Sequence, residues 1–272
     1  MKSTSNLTLI VFSAAVVALT GCKKGAVSPT ADGELDITAV TKQIGTSFYK
    51  SFTGQYGGAN IGDGIKVPNN VKSTRGPRVN SIEPYCGYQI DTTDNVSYQA
   101  FDTLKNIDSK YKFIYTCSAD NLDGYVLTDT VTYTDNGPLF TNKYLIAQNY
   151  IVSKADAHYT MVSMKGTMGN NFVKKVLNAE GSVIDTKNNH TEYTLTNVKI
   201  KTAGGSADIS SGTVTFEASL SEETGGKTFS GNFSGSMTFL GNKKANIKIT
   251  YKNKTQKYSL DLATYDQTQI FD

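Results

Sequence analysis

The chain is poor in the features that most often indicate a catalytic or nucleic-acid-binding function. It contains no tryptophan and only two histidines, and no Gly-x-Ser-x-Gly segment is present to hold a nucleophilic serine. The net charge of +3 is not gathered into a basic stripe, so the sequence offers no electrostatic footprint for a nucleic acid. No exact short repeat is visible, which argues against a propeller or a solenoid.

Long apolar runs are scarce as well. The longest covers about 13 residues (7–19), whereas a helix needs about 20 apolar residues to span a bilayer. This run follows the positively charged Lys2, as the apolar segment of a signal peptide does. The sequence therefore predicts export rather than a permanent transmembrane helix.

The apolar run ends in Leu19-Thr20-Gly21-Cys22, a branched apolar residue, two small residues and a cysteine. This pattern resembles the lipobox of bacterial lipoproteins. The resemblance implies that residues 1–21 are a signal peptide, that the Cys22 thiol receives a diacylglycerol, and that the chain is cut before it. Lipid on Cys22 would then hold the protein on a membrane. The alternative is an ordinary secretory signal with an incidental Cys22.

Residues 22–33 are predicted to form a flexible tether, because they are small, include proline and lack apolar periodicity. Asp does not follow Cys22, and no acidic run is present. By resemblance to the sorting rules of bacterial lipoproteins, these features favour an outer-membrane anchor that faces the periplasm.

Once Cys22 is assigned to lipid, two of the three cysteines remain, Cys86 and Cys117. Exported proteins fold in an oxidising compartment, where paired thiols are usually oxidised. We therefore predict a Cys86–Cys117 disulfide. The alternative is a metal or redox pair, but neither a CxxC spacing nor a nearby histidine supports it.

Residues 34–272 are predicted to be a single β domain that begins with an amphipathic helix at about 36–52. Asp36 suits the N-cap, and Gly54 stands where a helix C-terminal glycine belongs. Apolar residues recur at helical spacing at Ile37, Val40, Ile44 and Phe48. We expect this apolar face to pack against a sheet rather than a membrane, because the opposite face is not rich in Lys or Arg. Residues 53–84 have the composition of a long loop.

Beyond residue 85 the apolar period changes from helical to two, which is typical of half-buried strands. Such stretches cover 111–117, 125–133, 144–152, 158–168, 183–186, 193–201, 213–220, 228–240, 245–251 and 257–262. Short turn-rich links separate them, among them Asn188-Asn189, Thr224-Gly225-Gly226 and Gly241-Asn242. The fold class is therefore mainly β, a large curved antiparallel meander, either sandwich or half-barrel, with one N-terminal helix.

A second and looser resemblance covers about residues 85–262. Pro84-Tyr85-Cys86-Gly87, Cys117, Asp123-Gly124 and Ser163-Met164-Lys165-Gly166 look like segments of uncharacterised Bacteroidota lipoproteins, in which a paired-cysteine segment leads into a long antiparallel sheet. This resemblance supports the fold and the anchor and implies no activity.

Candidate catalytic residues are few. His158 and His190 are expected to be exposed residues at strand ends rather than general bases. Glu192 and Glu217 lie on polar strand faces and would form a glycosidase pair only if about 5 to 9 Å apart.

Two oxygen-rich segments, Asp91-Thr92-Thr93-Asp94-Asn95 and Asp120-Asn121-Leu122-Asp123-Gly124, miss the spacing of a known calcium loop. Asx turns explain them more simply, so we predict neither a metal nor a cofactor.

The 16 tyrosines have two explanations. Exposed rings bind sugars and apolar ligands, but tyrosine also replaces Trp and Phe in a half-solvated sheet, and we favour the second explanation. We therefore predict a non-enzymatic structural or binding module of the cell envelope. One alternative is a carrier of an apolar ligand or lipid, similar to the half-barrel of periplasmic lipoprotein carriers, with Gly231 and Gly235 opening the cavity. Another is a glycan-binding or glycan-acting protein.

Overall fold

The computed structural model describes residues 34–57, 59–60, 62, 65, 85–158, 160–202 and 208–271. These residues form one helix, α1 (Ile37–Phe52), and eleven strands. The strands are β1 (Gln89–Ala100), β2 (Thr103–Ser118), β3 (Asn121–Gly137), β4 (Phe140–Lys154), β5 (Met161–Leu177), β6 (Val183–Lys201), β7 (Asp208–Thr224), β8 (Lys227–Gly241), β9 (Lys244–Tyr251), β10 (Lys254–Asp261) and β11 (Gln267–Ile270). The predicted signal peptide (1–21), the tether (22–33) with Cys22, and most of the predicted loop 53–84 lie outside the described residues.

All eleven strands belong to one sheet, and each pairs antiparallel with the next strand along the chain. The predicted mainly β class, an antiparallel meander with one N-terminal helix, is confirmed. The sheet stays open, because within the described chain β1 pairs only with β2 and β11 only with β10. None of the helical residues that the structure describes forms a segment long and apolar enough to cross a membrane.

The strand predictions were wrong in three places. Stretches 183–186 and 193–201 are parts of one strand, β6, so Asn188-Asn189 is strand interior and not a turn. Asn189 is buried while its neighbours are exposed, and a buried polar residue breaks the apolar alternation that the prediction relied on. The edge strands β1 and β11 were missed because they also lack a regular apolar alternation. Most of their side chains are exposed, so neither strand has an apolar face.

Helix α1 begins and ends as predicted. The Asp36 side chain accepts a hydrogen bond from the Thr38 amide at 2.9 Å, and Gly54 takes a φ of 69° just beyond the helix. On the apolar face Val40, Ile44 and Phe48 are fully buried and Ile37 is partly buried. It packs on the sheet, which confirms the predicted partner of this face.

The sheet curves around this helix. Phe52 contacts Tyr150 of β4, Phe48 contacts both Tyr193 of β6 and Phe239 of β8, and further contacts reach β11. A flat sheet of eleven strands would be roughly 45 Å wide, whereas a 16-residue helix is only about 24 Å long. The helix can contact so many strands only because the sheet wraps around it, and we call the helix side the concave face.

Tyrosine supplies much of the core on the concave face. Six tyrosines are among the largest fully buried side chains: Tyr111, Tyr115, Tyr125, Tyr150, Tyr193 and Tyr258. Some use their hydroxyl to hold the helix, since Tyr193 donates to the Ile44 carbonyl at 3.0 Å and the Tyr258 and Thr38 hydroxyls lie 3.1 Å apart. Many of the tyrosines therefore serve as core residues of the sheet. This agrees with the explanation in which tyrosine replaces Trp and Phe there.

The predicted disulfide is present. Cys86, just before β1, is bonded to Cys117 near the end of β2, with the two Cα atoms 5.6 Å apart. Closing a loop of this length stabilises the fold by roughly 3 to 4 kcal/mol in the chain-entropy treatment. The bond therefore holds the chain that leads into the edge strand β1.

Gly231 and Gly235 of β8 leave room for neighbouring rings. A Cβ on Gly231 would lie 2.8 Å from the Tyr251 ring, and one on Gly235 would lie 2.6 Å from the Phe216 ring. Rings therefore occupy the space that a side chain would take at these two positions.

Close contact between α1 and the sheet depends on Gly45. A Cβ at this position would lie 2.6 Å from Leu260 Cδ2 and 2.8 Å from Ile247 Cδ1.

We expect Gly45→Leu to lower the free energy of unfolding by about 1 to 3 kcal/mol, because the larger side chain overpacks this contact. Denaturant unfolding measures the change. Lys42→Leu, on the exposed side of the same helix, is the matched control and should change stability by less than about 0.5 kcal/mol. Equal effects of the two variants would contradict the packing described here.

Candidate functional site

Because α1 covers the concave face, the accessible part of the sheet is its convex face. Two adjoining grooves of about 340 and 510 Å³ lie there across β5 to β8. They share His190, Ser219 and Asn232, and we treat them as one convex groove. Its convex-facing lining is Asn171, Val173, Asn188, His190, Glu192, Glu217, Ser219, Ser221, Ser230, Asn232 and Ser234, so Val173 is the one apolar side chain in this set.

Strand register brings the two nominated glutamates together. Glu192 of β6 pairs directly with Glu217 of β7, so their side chains leave the same face at neighbouring positions. On the other side of Glu192 is Gly169 of β5, where a Cβ would lie 2.8 Å from Oε1 and 3.1 Å from Oε2. The missing side chain at Gly169 lets the Glu192 carboxylate lie across β5.

His190 completes the cluster and is not the strand-end residue that the sequence suggested. It lies in the interior of β6, with Nδ1 2.6 Å from Asn171 Oδ1 and Nε2 3.4 Å from Glu192 Oε1. Since the Asn171 oxygen only accepts, Nδ1 carries the proton and Nε2 faces the carboxylate.

The other nominated residues lie apart from this cluster. His158 lies in the turn before β5, where its amide donates to Asp156 Oδ1 at 2.8 Å. Segment 91–95 lies inside β1, and segment 120–124 begins in the β2–β3 turn and continues into β3. Across the described ranges, no group of three His, Cys, Asp or Glu side chains is placed to hold a metal.

The convex groove is suited to a hydrogen-bonding ligand. It offers amide, hydroxyl, carboxylate and imidazole groups. Several of its other positions are serine or glycine, whose short side chains leave room for a ligand to lie along the strands. Glu192 and His190 keep 57 % and 49 % of their side-chain surface exposed, so both can reach a ligand from solvent. Such a lining matches a polyhydroxylated molecule better than an apolar one.

A second polar cluster lies on the concave face, beneath the end of α1. Gln148 donates to the Ser51 carbonyl at 3.1 Å, and Asn170 donates to the Ser51 hydroxyl at 3.2 Å. Asp129, directly paired with Gln148 in the sheet, accepts from the Ala59 amide at 2.8 Å. These contacts fasten the helix end and the chain after it to β3, β4 and β5.

Several oxygens of this cluster lack hydrogen-bond partners among the described residues. They are Asp129 Oδ1, Gln148 Oε1, Tyr150 Oη and Asn170 Oδ1. Burial raises the pKa of Asp129 to about 7, and the Ala59 amide only partly opposes this. A protonated Asp129 would have an O–H to donate toward Gln148 or Tyr150. The neutral acid therefore suits this cluster better than the carboxylate.

Sequence patterns revealed only part of these sites. Glu192 and Glu217 were named as a possible pair and His190 by itself, but the grouping of all three depends on the register between β6 and β7. Gly169 and Asn171 carried no motif and were missed. Asp129 had one usable signal, since it was placed on the apolar face of its strand between Leu127 and Val131.

Comparisons with protein families, with curated proteins and with solved structures found no match for this chain. Its function is therefore argued from its own residues.

Asp129 should make stability depend on pH. Its folded pKa is above the unfolded value, so the folded state binds the extra proton, and this stability is full below about pH 4 and lost as pH rises toward 7. We expect Asp129→Asn to remove this fall, on the order of a few kcal/mol, because Asn keeps an acceptor for Ala59 and is never charged. Urea unfolding from pH 4 to 8 measures the effect, with Asp120→Asn in the exposed β2–β3 turn as control. Parallel curves for wild type and Asp129→Asn would contradict it.

Proposed function

We propose that this protein is a lipid-anchored extracytoplasmic lipoprotein and that its β domain is a non-enzymatic binding module of the cell envelope. Lipid on Cys22 would attach it to the outer membrane, facing the periplasm. The lipobox Leu19-Thr20-Gly21-Cys22 supports the anchor. The Cys86–Cys117 disulfide fits folding in an oxidising compartment.

The observation that carries the binding role is the convex groove. The chain's own helix occupies the concave face, while the convex face keeps a polar groove with exposed donors and acceptors. We propose a glycan as its ligand class, because sugar hydroxyls pair well with the Asn, Ser and Glu side chains that line it. The apolar-carrier alternative has less support, since rings fill the gaps at Gly231 and Gly235.

We propose binding rather than hydrolysis because of the surroundings of the two glutamates. A glycosidase needs one carboxyl kept protonated, commonly by an apolar pocket. Glu192 is instead 57 % exposed and faces His190, and Glu217 is exposed as well. Neither carboxyl lies in an apolar pocket of that kind, and both are well placed to accept hydrogen bonds from a ligand.

The anchor predicts that lipid depends on one cysteine. In cells grown with radiolabelled fatty acid, the wild-type protein should incorporate label and Cys22→Ser should not, because only the Cys22 thiol can form the thioether. The double variant Cys86→Ser/Cys117→Ser is the matched control and should keep the label. Label that persists in Cys22→Ser would contradict the anchor.

The groove predicts a glycan affinity that depends on its carboxylates. On a panel of envelope and plant polysaccharides, Glu192→Gln/Glu217→Gln should weaken binding at least about tenfold, because hydrogen bonds to charged groups contribute roughly 1.5 to 3 kcal/mol. Glu180→Gln, in the exposed β5–β6 turn, should leave binding unchanged. Chromatography of the bound glycan should return it intact. Cleavage lost in the double variant would show an enzyme instead, and no binding at all would refute the groove as a glycan site.

A further inference from the structure

Strand β1 is a long, open edge of the sheet. It has 12 residues, and within the described chain it pairs only with β2. Just before β1, the Tyr115 amide donates to the Tyr88 carbonyl at 2.9 Å, so the even-numbered residues of β1 direct their backbone groups toward β2. The odd-numbered residues therefore direct their N–H and C=O groups outward. These residues, all with exposed side chains, are Gln89, Asp91, Thr93, Asn95, Ser97 and Gln99.

β1 lacks most of the features that block such an edge. Natural edge strands are often very short, carry proline or lysine, contain a bulge or are covered. β1 has no proline, lysine or arginine, and its pairing with β2 shows no register shift. The other edge, β11, is only four residues long, and its Gln267 side chain donates to the Thr38 carbonyl of α1 at 3.1 Å. β1 is therefore the edge that is better suited to accept another strand.

Exposed large apolar side chains lie at both ends of the β1 edge. Tyr85, which is 62 % exposed, lies in the chain that enters β1. Tyr98 is exposed near the other end of the strand, and Phe101 in the β1–β2 turn is fully exposed. Single exposed apolar residues are ordinary on a protein surface, but a group along one unpaired edge indicates a contact surface.

We propose that β1 pairs antiparallel with β1 of a second copy of this chain, so that two sheets join edge to edge in a symmetric dimer. The proposal depends neither on the convex groove nor on the lipid anchor. A two-fold axis perpendicular to the sheet keeps both convex faces on the same side and makes the interface self-complementary. The outward N–H and C=O groups of the two copies would then exchange about ten backbone hydrogen bonds.

The two aspartates of β1 select the register of this pair. A dimer centred on Asp94 would place that carboxylate directly opposite its copy, and like charges at opposing positions destabilise a sheet. Centring the dimer on Asn95 instead sets Asp94 opposite Val96 and Asp91 opposite Gln99. This register keeps nearly the whole strand paired without opposing two carboxylates.

The same register brings the exposed rings together. It places the β1–β2 turn of one copy beside the chain that enters β1 in the other. Phe101 then lies opposite Gln89 of the second copy, next to the chain that carries Tyr85 and Tyr88. Charge and apolar surface therefore favour the same arrangement, which is the argument for a second copy rather than an unrelated strand.

Crosslinking tests the register. The variants are made in the full-length chain with Cys22→Ser, so that neither a lipid nor a further thiol contributes. Asn95→Cys would place the two introduced residues on the two-fold axis, with Cα atoms about 5.5 Å apart. Asp91→Cys, on the same strand and the same face, is the matched control, because its two copies would be about 27 Å apart. A short bismaleimide should link Asn95→Cys into dimers and leave Asp91→Cys monomeric. Equal crosslinking of the two variants, or none, would overturn the proposed pairing.

A proline variant tests the hydrogen bonds. The Ser97 N–H points away from β2, so Ser97→Pro keeps the β1–β2 pairing and removes a donor from the dimer. By sedimentation, the Cys22→Ser chain should be a dimer, and adding Ser97→Pro should weaken the dimer at least about tenfold. Gln269→Pro, at an outward-facing N–H of β11, is the matched control and should leave the dimer unchanged.

Two sedimentation results would contradict the proposal. A chain that stays monomeric up to about 0.1 mM would overturn the dimer. A dimer weakened by Gln269→Pro and not by Ser97→Pro would overturn it as well, because the copies would then join through β11. The crosslinking result does not need the proline variant, so it decides the question whether or not Ser97→Pro folds.

Discussion

The packing of one helix against the concave face of an open sheet is the contact on which the rest of this structure depends. A sheet that neither closes nor meets a second sheet leaves one apolar face without a partner. Here α1 is that partner, and burying each large side chain such as Phe48 or Phe52 contributes about 1.5 to 3 kcal/mol. Gly45 allows the helix backbone to approach β9 and β10, and tyrosine hydroxyls from the sheet bond to the helix and to the chain after it.

This packing also decides where function can lie. The concave face is occupied by the protein's own residues, including the polar cluster in which Asp129 holds the Ala59 amide. Polar groups at that depth are committed to holding the helix end and are shielded from a ligand. The side chains of the convex face do not hold the helix. Register brings three of them together there, His190, Glu192 and Glu217, and they remain exposed to solvent.

The fold could be predicted from sequence where a local pattern carries the information. The helix over 36–52 has both its caps and its apolar spacing, and the strand containing Leu127 and Val131 alternates clearly. Prediction failed where a buried polar residue breaks the apolar alternation of its own strand. Asn189 is buried next to Thr191, whose hydroxyl it accepts at 2.8 Å, and so the middle of β6 looked like a turn.

The candidate site was harder to predict than the fold for a related reason. Glu192, Glu217 and Asn171 come together only through the accumulated register of three strands, including irregularities within β5 and β6. A shift of one residue would send these side chains to the opposite face. No local sequence feature determines such a register, whereas Cys86 and Cys117 could be paired by counting cysteines and inferring the compartment.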